Sequence, residues 1–255
     1  MNKKKCGALL TGLVLALSAV IFSNSAVVTA AELTGPQVLS KLDSASGSPK
    51  DQEQQAKIII IDKDGKEKSR ETLMFQKGNE KRLVRFLSPA DQKGIGFLSL
   101  PNDMMYIYLP AFKKTRRIAS HVKNTKFAGT DFTYEDMEAK TYSEKWDSEV
   151  IQTDDKSYVL KLTPKKGTVS DYSKLVMTVD KTNFYVLKIE HYDKAGTMTK
   201  TLTRTEFEKV GNYWIANASV MEDHKNKHKT KMVVSNTKVD AGISDDVFTE
   251  RYLVR

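Results

Sequence analysis

The feature that most constrains this chain is a succession of short β-prone runs, each closed by a turn signal, from about Lys57 almost to the C-terminus. Residues 58–61 lead through Asp64-Gly65 into residues 67–76, and an Asp-Gly pair supplies the positive backbone angles that a two-residue hairpin turn demands. Gly78-Asn79 turns the chain into residues 81–87, which Pro89 ends. Residues 96–100 and 104–109 flank Pro101-Asn102-Asp103, and the second of these runs is apolar on both faces, as expected of a strand under a helix or against a cavity. In the second half, residues 157–163, 173–180, 185–192, 197–210, 213–222 and 229–239 alternate with turn signals. Eleven strand candidates in roughly 200 residues exceed what a flat sheet usually holds. The expectation is an α+β, mainly β chain whose antiparallel meander curls toward a barrel.

Two segments precede that run. Residues 1–30 combine Lys3, Lys4 and Lys5, an apolar stretch from about Gly7 to Phe22 and the small-residue end Val28-Thr29-Ala30, which is the layout of a signal peptide cleaved after Ala30. The apolar stretch falls short of the roughly 18 to 20 residues needed to span a membrane. Cys6 is the one cysteine and precedes that stretch, so an exported mature chain has no disulfide and no thiol nucleophile. Residues 31–255 read as a single domain. Thr34-Gly-Pro36 opens a short amphipathic helix carrying Val38, Leu39 and Leu42 and ending near Gly47, and residues 44–55 read as a loop.

Removing the three leader lysines takes the formal charge from +9 to +6. That excess is spread along the chain, whereas a nucleic-acid binder gathers it in one patch, so nucleic acid is not expected as a partner. Dispersed basic charge suits transient contact with anionic lipid head groups. Gly-x-Ser-x-Gly, Gly-x-x-x-x-Gly-Lys and Gly-x-Gly-x-x-Gly are all missing, and His121 has no apparent partner, so no catalytic group and no cofactor is expected. His224 and His228 flank a turn rather than share a helix face, and Asp131, Glu135, Asp136 and Glu138 read as a helix start rather than a metal loop. Lys113, Lys114, Arg116 and Arg117 either face phosphate head groups or form a solvated strand end. Met74, Met104, Met105, Met177 and Met198, with nearby aromatic residues, either line an adaptable cavity or fill an ordinary core.

Residues 109–137 hold the most distinctive motif. Tyr108-Leu-Pro110, Arg116-Arg117-Ile118 and Phe127-Ala-Gly-Thr-Asp-Phe-Thr-Tyr-Glu-Asp136 resemble the outer-membrane lipoprotein-sorting protein family and, more broadly, the LolA and LolB lipoprotein carriers. Pro89-Ala-Asp-Gln-Lys-Gly94 and residues 245–253 agree, so the resemblance runs from about Lys57 to the terminus. Ala128 stands where the family pattern usually has methionine. The resemblance implies an unclosed antiparallel β-barrel with short helices as a lid, and an apolar cavity for acyl chains. On that basis the chain is expected to be a non-catalytic periplasmic carrier of lipoproteins or other lipids. The alternative is a regulatory or accessory module for an envelope protein, such as a membrane transporter or an outer-membrane receptor. The candidate lining is Met74, Phe97, Met104, Tyr106, Tyr108 and Met177, with Lys113, Arg116 and Arg117 at the rim. Pro110, Phe127, Gly129, Asp131, Tyr134 and Asp136 are the structural motif residues, with Gly129 as a turn, Asp131 as a helix cap and Phe127 and Phe132 as core anchors.

Overall fold

The computed structural model describes Met1 and residues 32–255, so the expected signal peptide and its Cys6 lie, Met1 aside, outside the described residues. The unit Leu33–Arg255 begins with helix α1 (Gly35–Ser46), where the Thr34 amide donates to Gln37 Oε1 at 2.9 Å and Val38, Leu39 and Leu42 are buried. Two runs of strands follow. The first comprises β1 (Gln52–Ile61), β2 (Glu67–Lys77), β3 (Lys81–Ser88), β4 (Gly96–Leu100), β5 (Met104–Leu109) and β6 (Lys114–Arg117). A connector carries the short helices α2 (Tyr134–Met137) and α3 (Tyr142–Lys145). The second run comprises β7 (Trp146–Thr153), β8 (Ser157–Pro164), β9 (Lys174–Asp180), β10 (Val186–Tyr192), β11 (Met198–Val210), β12 (Tyr213–Asp223) and β13 (His228–Val239), and helix α4 (Glu250–Leu253) ends the chain.

All thirteen strands form one antiparallel sheet in the order β6-β5-β4-β3-β2-β1-β13-β12-β11-β10-β9-β8-β7. Each run is a meander, and the pairing of β1 with β13, Ile58 opposite Met232 and Ile60 opposite Thr230, welds them together. The sheet never closes, because β6 and β7 are its two edges and do not pair. Thirteen strands replace the eleven expected, and the two additions are those edges. Both are polar and largely exposed, and an edge strand facing water has no apolar alternation to show. Residues 52–55, read as loop, are strand, because Gln52 is hydrogen-bonded into a ladder with both Gln76 and Val239 and tertiary pairing outweighs their polar composition.

Alternation along β2 to β5 divides two cores. Val84, Phe86, Phe97 and Met105 belong to the main core inside the curve, together with Leu160, Leu162, Leu175 and Met177 of the second meander. Their neighbours Phe75, Leu83 and Leu98 point the other way and pack with Phe248 and Leu253 of the C-terminal segment. A Cβ added to Gly96 would lie 2.6 Å from Leu253 Cδ1, which shows how closely that segment presses on the sheet. These strands are apolar on both faces because both faces are covered.

Residues 118–145 run from one free edge of the sheet to the other and fill the space between. Phe127, 1% exposed, packs its ring 5.8 Å from Phe86, 5.3 Å from Phe97 and 5.8 Å from Tyr134, centre to centre. The bend there depends on left-handed backbone at Ala128 (φ 47°) and Gly129 (φ 72°), and Arg70 donates to the Ala128 carbonyl. The Asp43 carboxylate of α1 accepts the amides of Tyr142 and Ser143, both at 2.8 Å, fixing the far end of the connector. Phe127→Ala is expected to cost about 3–5 kcal/mol of stability in urea unfolding, the range for a buried aromatic. Gly129→Val is expected to cost about 1–2 kcal/mol, since a residue with a Cβ resists left-handed backbone; an unchanged midpoint would contradict this role.

Candidate functional site

Between the meanders lies a cavity of about 280 Å³, near the lower end of the roughly 300–1,000 Å³ usual for small-molecule sites. Its wall combines Met74 of β2, Leu175 of β9, Val186 and Ile189 of β10, Leu202 of β11, Met221 of β12 and Met232 and Val234 of β13 with Phe132 and Met137 of the connector. Half-exposed Tyr185 and Phe207, stacked at 5.4 Å, and Trp214 extend the lining toward solvent. Four methionines and several branched residues make this part of the wall apolar and deformable, beside polar residues that include Gln54, Gln76 and Asn79.

Of the residues expected to line a cavity, Met74 lies on this wall. Phe97 and Met177 are fully buried in the main core. Tyr106 and Tyr108 pack against the C-terminal cluster on the opposite face, and Met104 shares their side of β5 by alternation. The cause is the two-residue period of a strand, which separates a residue from its neighbour by the thickness of the sheet. Lys113, Arg116 and Arg117 are exposed on and beside edge strand β6, and none of them lines the cavity. Pro110 is half-buried where β5 ends, 3.2 Å from the position a Cβ of Gly94 would take.

The acidic residues of the motif disperse to separate partners. Thr133, not Asp131, caps α2: the Asp136 amide donates to Thr133 Oγ1 at 3.2 Å, and the Thr133 amide donates to Asp136 Oδ2 at 2.7 Å. Asp131 lies two residues too early to cap and is instead fully buried against β13. There Thr230 Oγ1 donates to it at 2.7 Å and Lys126 Nζ stands 2.9 Å away. Glu135 accepts from Ser170 and from the Asp171 amide, and Glu138 pairs with Lys123 at 3.3 Å and Lys145 at 2.7 Å. With the carboxylates directed apart, no metal-holding group forms among the described residues. His224 and His228 also diverge, to Thr201 and Asp131 respectively.

Of the charged and titratable groups on the cavity wall, Asp136 and Glu138 belong to the acidic motif, whereas Arg82, His191 and Arg204 carried no expectation from the sequence. Asp136 accepts from the Tyr172 hydroxyl at 2.9 Å and stands 3.4 Å from Lys200 Nζ and 3.7 Å from His191 Nε2. Burial alone would raise its carboxyl, but Lys200, His191 and the Thr133 bonds outweigh burial and hold it down at about 2. Burial pushes His191 down to about 4 against the opposing charge of Asp136, so the imidazole is neutral at pH 7. Arg82 of β3 and Arg204 of β11 also line the cavity. The available signal was alternation: Arg82 shares a strand face with Val84 and Phe86, and Arg204 with Leu202, so each puts a charge on an apolar stripe.

A histidine that resists protonation when folded but accepts a proton near pH 6.5 when unfolded weakens the fold as pH falls from 6.5 toward 4. That interval sets an upper bound of about 3 kcal/mol on the loss. Asp136, held near 2 against an ordinary 3.8, adds a further loss as pH falls below 3.8. His191→Gln is expected to flatten the stability profile between pH 6.5 and 4 in urea unfolding, and a profile as steep as the wild type's would contradict the assignment.

A family model described as "uncharacterized protein" matches residues 78–255. No curated protein matches the chain at a significant level. Among solved structures, the chain is similar to a Vibrio parahaemolyticus domain described as an outer membrane lipoprotein-sorting protein. The two are 26% identical, with 87% of this chain and 98% of that one covered and a TM-score of 0.81. A DUF1329 family protein from Desulfovibrio piger is 27% identical over 86% of this chain and 97% of that one, with a TM-score of 0.80. A LolA superfamily protein from Nitrosomonas europaea shares the fold at 22% identity and a TM-score of 0.72, over 87% of this chain and all of that one. The chain belongs to the family of the matching model, and its fold is the one shared by these lipoprotein-sorting and LolA superfamily structures.

Proposed function

We propose that the chain is an exported periplasmic carrier that shelters the acyl chains of a lipoprotein or another lipid in the cavity between its meanders. The observation that carries this reading is the apolar, methionine-rich part of the cavity wall, held open inside an unclosed sheet. Withdrawing an acyl chain from water is worth about 0.8 kcal/mol per methylene, so a partial fit suffices for useful affinity. The similarity to a domain described as an outer membrane lipoprotein-sorting protein supports a carrier fold of this kind. The signal-peptide reading of residues 1–30 supplies the route of export, and among the described residues no helix is long and apolar enough to cross a membrane.

In this reading the protein does no covalent chemistry, and exchange follows from binding and release. Lys113, Arg116 and Arg117, with exposed Phe112 beside them, form the surface we assign to transient contact with anionic head groups or a membrane partner. Met74→Trp, which fills part of the cavity without adding charge, is expected to weaken uptake of an apolar fluorescent dye at least about tenfold, or about 1.4 kcal/mol. The melting temperature should change little. Dye uptake equal to wild type, or no uptake by either protein, would overturn the carrier reading and favour an accessory module.

A further inference from the structure

The cavity carries more positive charge than the fold neutralises. Arg82 donates to Gln76 Oε1 at 2.9 and 3.3 Å and to the Met137 carbonyl at 3.0 Å, all neutral acceptors. Arg204 makes no hydrogen bond or ion pair with any described residue, although it lies in the same wall. The wall's two carboxylates are committed elsewhere, Asp136 to Lys200 and Tyr172, and Glu138 to Lys123 and Lys145. Lys140, the remaining cation of the wall, bonds the Glu135 carbonyl at 3.2 Å. Burial lowers the Arg82 guanidinium to about 10, and the charge of Arg204 pushes it the same way.

Two guanidiniums that repel one another in a partly desolvated wall are costly to retain without a counter-ion. Among the described residues Glu138 offsets Arg82 only through space, its oxygens being held by Lys123 and Lys145, and no carboxylate pairs with Arg204. Guanidinium forks fit carboxylate and phosphate oxygens, whereas Met74, Leu202, Met221 and Met232 of the same wall give an apolar surface suited to a hydrocarbon chain. His191, in the same wall, adds a buried Nδ1 without a hydrogen-bond partner.

We propose that the occupant of the cavity is an acyl amphiphile with an anionic head, a carboxylate or phosphate, which sits between Arg82 and Arg204 while its chain lies along the methionine wall. The proposal rests on the carrier reading and narrows it to a ligand class. The test is to titrate the purified protein, below micellar concentrations, with oleate, with oleyl alcohol of the same chain length, and with inorganic phosphate, using wild type, Arg204→Met and Arg82→Gln.

Wild type is expected to bind oleate at least about tenfold more tightly than oleyl alcohol. Arg204→Met should erase that preference, retain oleyl alcohol binding and melt no lower than wild type, because Arg204 has no hydrogen-bond or ion-pair partner among the described residues. Equal binding of the two amphiphiles by wild type, or a preference that survives in both variants, would overturn the head-group site and leave the carrier standing. No binding of either amphiphile would overturn both. Saturable binding of phosphate with no gain from an attached chain would show a site for a free anion and overturn the amphiphile. A marked fall in the melting temperature of Arg204→Met would make the arginine structural and remove the premise.

Discussion

The architecture depends on how an open sheet covers its own interior. Thirteen antiparallel strands curl without closing, and a concave apolar face would otherwise meet water. The connector between β6 and β7 resolves this by crossing from edge to edge with Phe127 as its keel, packed among Phe86, Phe97 and Tyr134. The cavity is the space this filling leaves, with Phe132 and Met137 of the same connector forming one wall.

Charge placement follows from the same constraint. The connector is a loop-rich segment inside a fold, so its backbone polar groups need partners that regular structure would otherwise supply. Arg70 serves the Ala128 carbonyl, Arg82 the Met137 carbonyl, and Ser99 Oγ accepts the Ala139 amide at 3.0 Å. The acidic side chains of the connector are fastened in turn to Lys126, Lys200, Lys123 and Lys145. Buried pairs of this kind contribute little net stability, but losing one partner leaves a costly buried charge, so they fix where the connector sits. Arg204 stands outside this pattern, as a guanidinium with no carboxylate partner among the described residues, and it is on the cavity wall.

Much of the fold was legible in the chain. Turn residues such as Asp64-Gly65 and alternating strands marked eleven of the thirteen strands, and the motif at 127–136 carried the resemblance that the solved structures share. The strands missed, Lys114–Arg117 and Trp146–Thr153, are the sheet edges, where solvent removes the apolar alternation that identifies a strand. The site was less legible. Phe97 and Tyr106 look equally suited to a lining, but one faces the core and the other the C-terminal segment. That choice is fixed only when Phe248 and Leu253, distant in sequence, are seen to cover the outer face. Arg82, Arg204 and His191 went unremarked because a basic residue in a strand reads as solvated until its face is known.

Whether this fold encloses a hydrophobic ligand, rather than a packed core alone, is tested most directly by native mass spectrometry of the gently purified protein. The expected result is a mass shift from co-purified lipid that is released on denaturation and identified as an acyl chain with an anionic head. A clean apo mass, together with no uptake of added lipid, would contradict the carrier.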